Sequence, residues 1–65
     1  MKLVELWNVT DGVPLFLSVD EKFVEVLDGP GYPVVNGSDV SDLIVQWILP
    51  TTYPTYGSVL EIKAL

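Results

Sequence analysis

The acidic side chains are the residues of this chain whose types and spacing could best support catalysis. Paired carboxylates can act as general acid and general base, and the chain has Asp39 and Asp42 three residues apart and Asp20 beside Glu21. Each pair also suits a structural role, since carboxylates stabilise the first turn of a helix and aspartate is frequent in tight turns. We favour the structural interpretation, in which the pairs predict a helix start and a turn.

Histidine and cysteine are absent from the 65 residues. Histidine is the commonest general base, and the Ser-His and Cys-His nucleophile pairs both require it. A zinc site built from nitrogen and sulfur ligands is excluded for the same reason. The acidic residues also do not follow the D-x-[DN]-x-[DN]-G spacing of a calcium loop. The sequence therefore predicts a protein that is not an enzyme and that uses neither a metal nor another cofactor.

Four aromatic residues form the candidate partner-binding set. The segment LPTTYPTYG (residues 49–57) places Tyr53 and Tyr56 among prolines, which restrict the backbone on both sides. Rigid tyrosine loops recur in binding surfaces, so the two rings are either a partner contact or a lid over the core. Trp7 and Phe16 complete the set, because each lies in a predicted strand with apolar residues on both faces and tryptophan is enriched at interface hot spots.

The composition predicts one domain, residues 1–65, with more apolar surface than it can bury. Hydrophobic residues make up 49% of the chain and charged residues 18%, against about 25% charged in a typical globular domain. A domain this short buries only about 60% of the surface that its unfolded chain exposes. No apolar run approaches the length of a membrane span, and the N-terminus lacks a signal-peptide pattern. We therefore expect an apolar interface, with another protein or with further copies of the chain.

The charge is strongly acidic, with nine Asp and Glu residues against three Lys and Arg residues and a net charge of −6. Nucleic-acid backbones are bound by clustered Lys and Arg, so direct nucleic-acid binding is not expected. The carboxylates are scattered singly along the chain, which favours a role in solubility. The alternative is an acidic face that meets a basic partner.

The elements that must position the aromatic residues begin with a predicted three-stranded antiparallel meander. Its strands are LVELWNV (residues 3–9), VPLFLSV (residues 13–19) and FVEVLDG (residues 23–29). Asp-Gly between the first two apolar runs is a strong hairpin signal, and the polar residues 20–22 predict a second tight connection.

The second half of the chain predicts one helix and a final strand. The apolar spacing i, i+3, i+4, i+7, i+8 favours a helix near residues 39–49 that Pro50 ends, with Trp47 in the core. The alternative is a buried strand over residues 43–49. Leu60, Ile62 and Ala64 alternate with charged residues, which is typical of a strand. The predicted class is α+β, and a small all-β barrel is the alternative. The apolar residues that define the helical stripe are Val40, Leu43, Ile44, Trp47 and Ile48.

These patterns together predict a small non-catalytic protein that acts by protein–protein interaction or assembly. In size, acidity and lack of a catalytic set the chain is similar to many short proteins of bacteriophages and mobile elements, which act as virion components or as inhibitors. The expected location is cytoplasmic, or the virion if the protein is phage-encoded, and the excess of apolar surface predicts an oligomer or part of a larger assembly. The alternative function is an acidic inhibitor that covers the nucleic-acid-binding surface of a host protein.

Overall fold

One helix and seven strands make up the chain, and all 65 residues are described in this computed structural model. The α+β class expected from the sequence is confirmed, although two of its elements lie elsewhere than predicted. The elements are α1 Leu3–Val9, β1 Leu15–Val19, β2 Lys22–Glu25, β3 Leu27–Asp28, β4 Pro33–Val35, β5 Ser38–Asp39, β6 Val45–Tyr53 and β7 Gly57–Ala64.

A four-stranded sheet with the order β2-β1-β7-β6 is the main layer. β1 pairs antiparallel with β2 and parallel with β7, and β7 pairs antiparallel with β6. β3, β4 and β5 form a second, smaller antiparallel sheet. The predicted final strand is confirmed as β7, which occupies the interior of the main sheet between β1 and β6.

The hairpin between β1 and β2 confirms the predicted tight connection at residues 20–22. Asp20 and Glu21 have φ angles of 50° and 65°, and positive φ at both central residues characterises the type I′ turn that matches the twist of paired strands. The two neighbouring carboxylates therefore serve a turn, as the structural interpretation of the sequence predicted.

The prediction of a strand over residues 3–9 is wrong, because this segment is α1. Leu3 and Leu6 share one helical face and both are buried. At the N-terminus the Lys2 N–H donates a hydrogen bond to Glu5 Oε1 at 2.7 Å. At the C-terminus the Thr10 hydroxyl donates to the Leu6 carbonyl oxygen at 3.0 Å. The N–H groups of Leu3 and Val4 donate to the carbonyl oxygens of Leu43 and Ser41. Capping from near and distant residues, together with one buried stripe, thus stabilises a short helix where β-formers suggested a strand.

The prediction of a helix near residues 39–49 is also wrong. Residues 45–53 form β6, which pairs with β7 along its length with one irregularity near Gln46. The alternative strand over residues 43–49 was closer to the structure. Asp39, predicted to stand at the start of this helix, instead accepts a hydrogen bond from the Ser41 N–H at 2.8 Å in a turn.

Pro50 lies inside β6 because β6 is an edge strand. The N–H of Leu60, which faces Pro50 in the register, donates to the Pro14 carbonyl oxygen on the β1 side at 3.0 Å. The backbone groups of Pro50 therefore point to the open edge, where a missing N–H leaves no bond of the sheet unmade. Residues 54–56 then form the turn to Gly57, whose φ of 78° favours glycine.

One face of the main sheet is covered by α1 and by the smaller sheet. Leu3 and Leu6 from α1 pack with Leu17 and Ile62 of the main sheet and with Val35 of β4. The opposite face carries no helix and no second sheet, and we call it the helix-free face. The other members of this core are Leu15, Val26 and Ala64.

We expect Ile62→Ala to lower the free energy of unfolding by about 2–5 kcal/mol, because Ile62 is 0% exposed and its truncation leaves a cavity. A domain of this size has a stability of about that magnitude, so much of the variant should be unfolded. Ile48→Ala is the matched control, because Ile48 faces Ile62 in the register but is 38% exposed. Urea unfolding followed by circular dichroism measures both, and equal losses would contradict this placement of the core.

Candidate protein-binding surface

The helix-free face is built from alternate residues of all four strands of the main sheet. Its membership follows from the register, because directly paired residues point to the same face. Phe16 pairs with Glu25 on one side and Glu61 on the other, and Glu61 pairs in turn with Leu49. The face contains Phe16, Ser18, Phe23, Glu25, Trp47, Leu49, Thr51, Tyr53, Val59, Glu61 and Lys63.

One half of this face is closed by an aromatic cluster of Phe16, Tyr53 and Tyr56. The ring centroids of Tyr53 and Tyr56 lie 4.8 Å and 5.1 Å from that of Phe16. Tilted and edge-to-face contacts at such distances are favourable for aromatic pairs. Phe16 is consequently only 6% exposed, whereas Tyr56 is 46% exposed. The tyrosines therefore cover Phe16, and Tyr56 also presents half of its surface to solvent.

Two carboxylates hold the tyrosines in place. The Tyr53 hydroxyl donates to Glu61 Oε2 at 2.6 Å, and the Tyr56 hydroxyl donates to Glu25 Oε1 at 3.2 Å. Glu61 Oε1 also accepts from the Thr51 hydroxyl at 3.2 Å. These hydrogen bonds raise the pKa of both tyrosines, because each stabilises the protonated phenol beside a negative charge.

The other half of the helix-free face is open and apolar. Phe23 and Trp47 make an edge-to-face contact with ring centroids 6.3 Å apart. Their exposed fractions are 38% and 42%, and that of Leu49 is 52%. Lys63 is exposed beside Trp47, its partner in the register. We call Phe23, Trp47 and Leu49 the open patch.

The prediction that Trp47 lies in the core is therefore wrong. In a helix, Trp47 and Ile48 would share one broad apolar stripe. In a strand, neighbouring side chains point to opposite faces, so Trp47 points to the helix-free face while Ile48 points to the other. The residues of the open patch were not in the predicted partner-binding set. Trp47 and Leu49 lie two residues apart, so an interpretation of residues 43–49 as a strand would have placed both side chains on the same face.

Trp7 lies apart from the other three predicted site residues. It is half-buried on α1, and its indole N–H donates to Asp28 Oδ1 at 2.9 Å. Beside it lies a cleft of about 530 Å³ whose acidic lining includes Asp11, Glu25 and Asp28. The structure thus brings Phe16, Tyr53 and Tyr56 together on one face, while Trp7 lies at this cleft.

Comparison of the chain with family models, with curated proteins and with solved structures found no match. No group of three or more Asp and Glu side chains converges in a geometry that could hold a metal ion. No helix of the structure has the length and apolar character needed to span a membrane.

We expect Glu61→Gln to lower the pKa of Tyr53. The pKa is raised first by the hydrogen bond to Glu61, then by burial and by the charge of Glu61. Glutamine retains an oxygen acceptor but removes the charge. A spectrophotometric titration of phenolate absorbance measures the change, with Tyr53→Phe identifying the signal of Tyr53. An unchanged titration in Glu61→Gln would contradict the contact.

The same pKa shift predicts the direction of the pH dependence of stability. Because the pKa of Tyr53 is higher in the folded chain than in the unfolded chain, its stabilising effect is complete below about pH 10 and is lost as the pH rises through the raised pKa. Thermal melts above pH 10 should therefore fall more steeply for the wild type than for Tyr53→Phe. Parallel curves would contradict a stabilising role of this hydrogen bond.

Proposed function

We propose that this protein is a non-catalytic protein-binding or assembly module whose contact surface is the helix-free face of the main sheet. The observation that carries the proposal is the open patch, in which Phe23, Trp47 and Leu49 are each more than one third exposed on one sheet face. Grouped large apolar side chains on a monomer surface mark sites of association. The expectation from size and composition, a virion or assembly component, belongs to the same proposal.

The setting of the open patch supports protein binding. Its side chains project from paired strands, so little backbone has to be ordered on association. Tryptophan and tyrosine are enriched among the residues that dominate binding energy, and the patch lies beside Tyr56. Charged residues lie next to the patch, since Lys63 and Glu61 are the register partners of Trp47 and Leu49 and Glu25 lies two residues from Phe23 on β2.

The edge of β6 is a poorer contact surface than the face. An added strand would hydrogen-bond to the outward-pointing backbone groups of β6. Pro50 removes a donor near the middle of that edge, and proline on an edge strand discourages such pairing. We therefore assign the contact to side chains on the face.

An acidic inhibitor is the second candidate function, and the net negative charge supports it. The net charge is −6, and the structure contains one ion pair, between Lys2 Nζ and Asp42 Oδ1 at 3.4 Å. Most carboxylates therefore have no cationic partner within the chain. Binding of that kind should weaken steeply with ionic strength, whereas binding through the open patch should persist in high salt.

We expect a photoreactive phenylalanine analogue at position 47 or 49 to cross-link to a protein in cells that express the protein. The same analogue at position 9 is the matched control, because Val9 is 76% exposed on α1, away from the open patch. Cross-links at the first two positions that are absent at the third would support the proposal, because exposure alone would label all three. Equal labelling, or no labelling at positions 47 and 49, would overturn it.

A further inference from the structure

We infer that the partner of the helix-free face is a second copy of this chain, bound in a two-fold symmetric dimer whose main sheets pack face to face. The inference rests on the proposed function and deepens it by naming the partner. It would complete a β-sandwich, in which each sheet covers the apolar face of the other.

The argument starts from two rows of side chains that cross β6 and β7 on the helix-free face. Trp47 pairs with Lys63 in the first row, and Leu49 pairs with Glu61 in the second. Residues two apart along a strand point to the same face and lie about 7 Å apart. Each row is therefore apolar on β6 and charged on β7, and the two rows carry opposite charges.

This pattern is complementary to itself under two-fold symmetry. The two-fold axis lies between the two sheets and runs parallel to the rows. Viewed perpendicular to the sheets, it lies midway between the first row and the second row. The first row of each copy then lies on the second row of the other, so Lys63 meets Glu61 of the second copy and Trp47 meets Leu49 of the second copy. Both contacts occur twice, as a symmetric interface requires. Two ion pairs and two apolar contacts thus form without any like-charge contact.

Within one chain, the carboxylate of Glu61 and the ammonium group of Lys63 can both still accept a partner. Glu61 is held by Tyr53 and Thr51, and a carboxylate has acceptor positions beyond these two bonds. Lys63 is exposed, and the one ion pair of the chain involves a different lysine. The dimer would therefore give Lys63 a partner without breaking a bond of the monomer.

The area of a typical interface can be compared with the size of this chain. A stable interface buries about 800 Å² on each partner, which is about one fifth of the 4214 Å² of this chain. The molecule measures 28 × 23 × 21 Å, so an interface of that size extends across one whole side. Tyr56 would then lie at the margin of the contact.

The decisive experiment mixes two charge-reversed variants, Lys63→Glu and Glu61→Lys. Alone, each variant places like charges in both cross-contacts, and its dimer dissociation constant should rise about tenfold or more. In an equimolar mixture, every cross-contact of the mixed dimer joins opposite charges, so dimerisation should return. Sedimentation equilibrium measures the constants, and mass-labelled copies identify the mixed dimer in native mass spectrometry.

Three further variants control for charge and folding. Lys22→Glu changes the net charge as Lys63→Glu does, but Lys22 pairs with Val19 and points to the other face, so its dimer should be unaffected. Leu49→Ser covers the case in which Glu61→Lys fails to fold, and should weaken the dimer without changing the melt recorded at a concentration where both proteins are monomeric. Leu65→Ser, at a terminal residue that is 72% exposed, should change neither.

The outcomes separate this inference from the proposed function. A wild-type chain that stays monomeric at millimolar concentration overturns the dimer, as does a mixture of the two variants that stays monomeric although both are folded by circular dichroism. Cross-links from position 47 to a different protein alone overturn the dimer and leave the proposed function standing. Absence of any cross-link from the face overturns both.

Discussion

The fold depends on one limit, which is that a seven-residue helix and a three-stranded sheet can cover only one face of the four-stranded main sheet. Leu3 and Leu6 of α1 pack on that face together with Val35 of β4. β7 makes this layer continuous, because it joins β1 on one side to β6 on the other. The opposite face has no such cover, although its strands also carry large apolar side chains.

The protein closes half of the uncovered face with its own side chains. Tyr53 and Tyr56 lie over Phe16, and their hydroxyls donate to Glu61 and Glu25. Apolar rings thus cover the sheet while their polar tips are hydrogen-bonded, which is the arrangement that tyrosine favours at a boundary between core and solvent. The same two carboxylates mark where the closed half ends and the open patch begins.

β6 shows how one strand serves several requirements at once. As an edge strand it accommodates Pro50, whose missing N–H faces the open side. Its alternate side chains supply Trp47 and Leu49 to the open patch and Tyr53 to the closed half. The turn at residues 54–56 then brings Tyr56 back over Phe16. The surface that we propose for protein binding is therefore largely a consequence of the position of β6 beside β7.

The sequence by itself determined the features that depend on residue type or on near neighbours. The absence of histidine and cysteine leaves no Ser-His or Cys-His pair and no zinc ligands of the nitrogen and sulfur type. Asp20 and Glu21 predicted a tight turn, and alternation predicted the strand through Leu60 and Ile62. Tyr53 and Tyr56 were also recognised as a rigid aromatic pair.

Only the tertiary structure decided which apolar segment is the helix and which is the strand. Residues 3–9 and residues 45–53 are both rich in β-formers, and the helical spacing of residues 40–48 overlaps the second of these segments, so local pattern alone does not separate them. Pairing separates them, because β6 hydrogen-bonds to a strand that follows it in the chain. α1 instead donates from the N–H groups of Leu3 and Val4 to the carbonyl oxygens of Leu43 and Ser41, and it buries Leu3 and Leu6. That choice also exposes Trp47, because the side chains of a strand alternate between two faces and only one face of this sheet is covered.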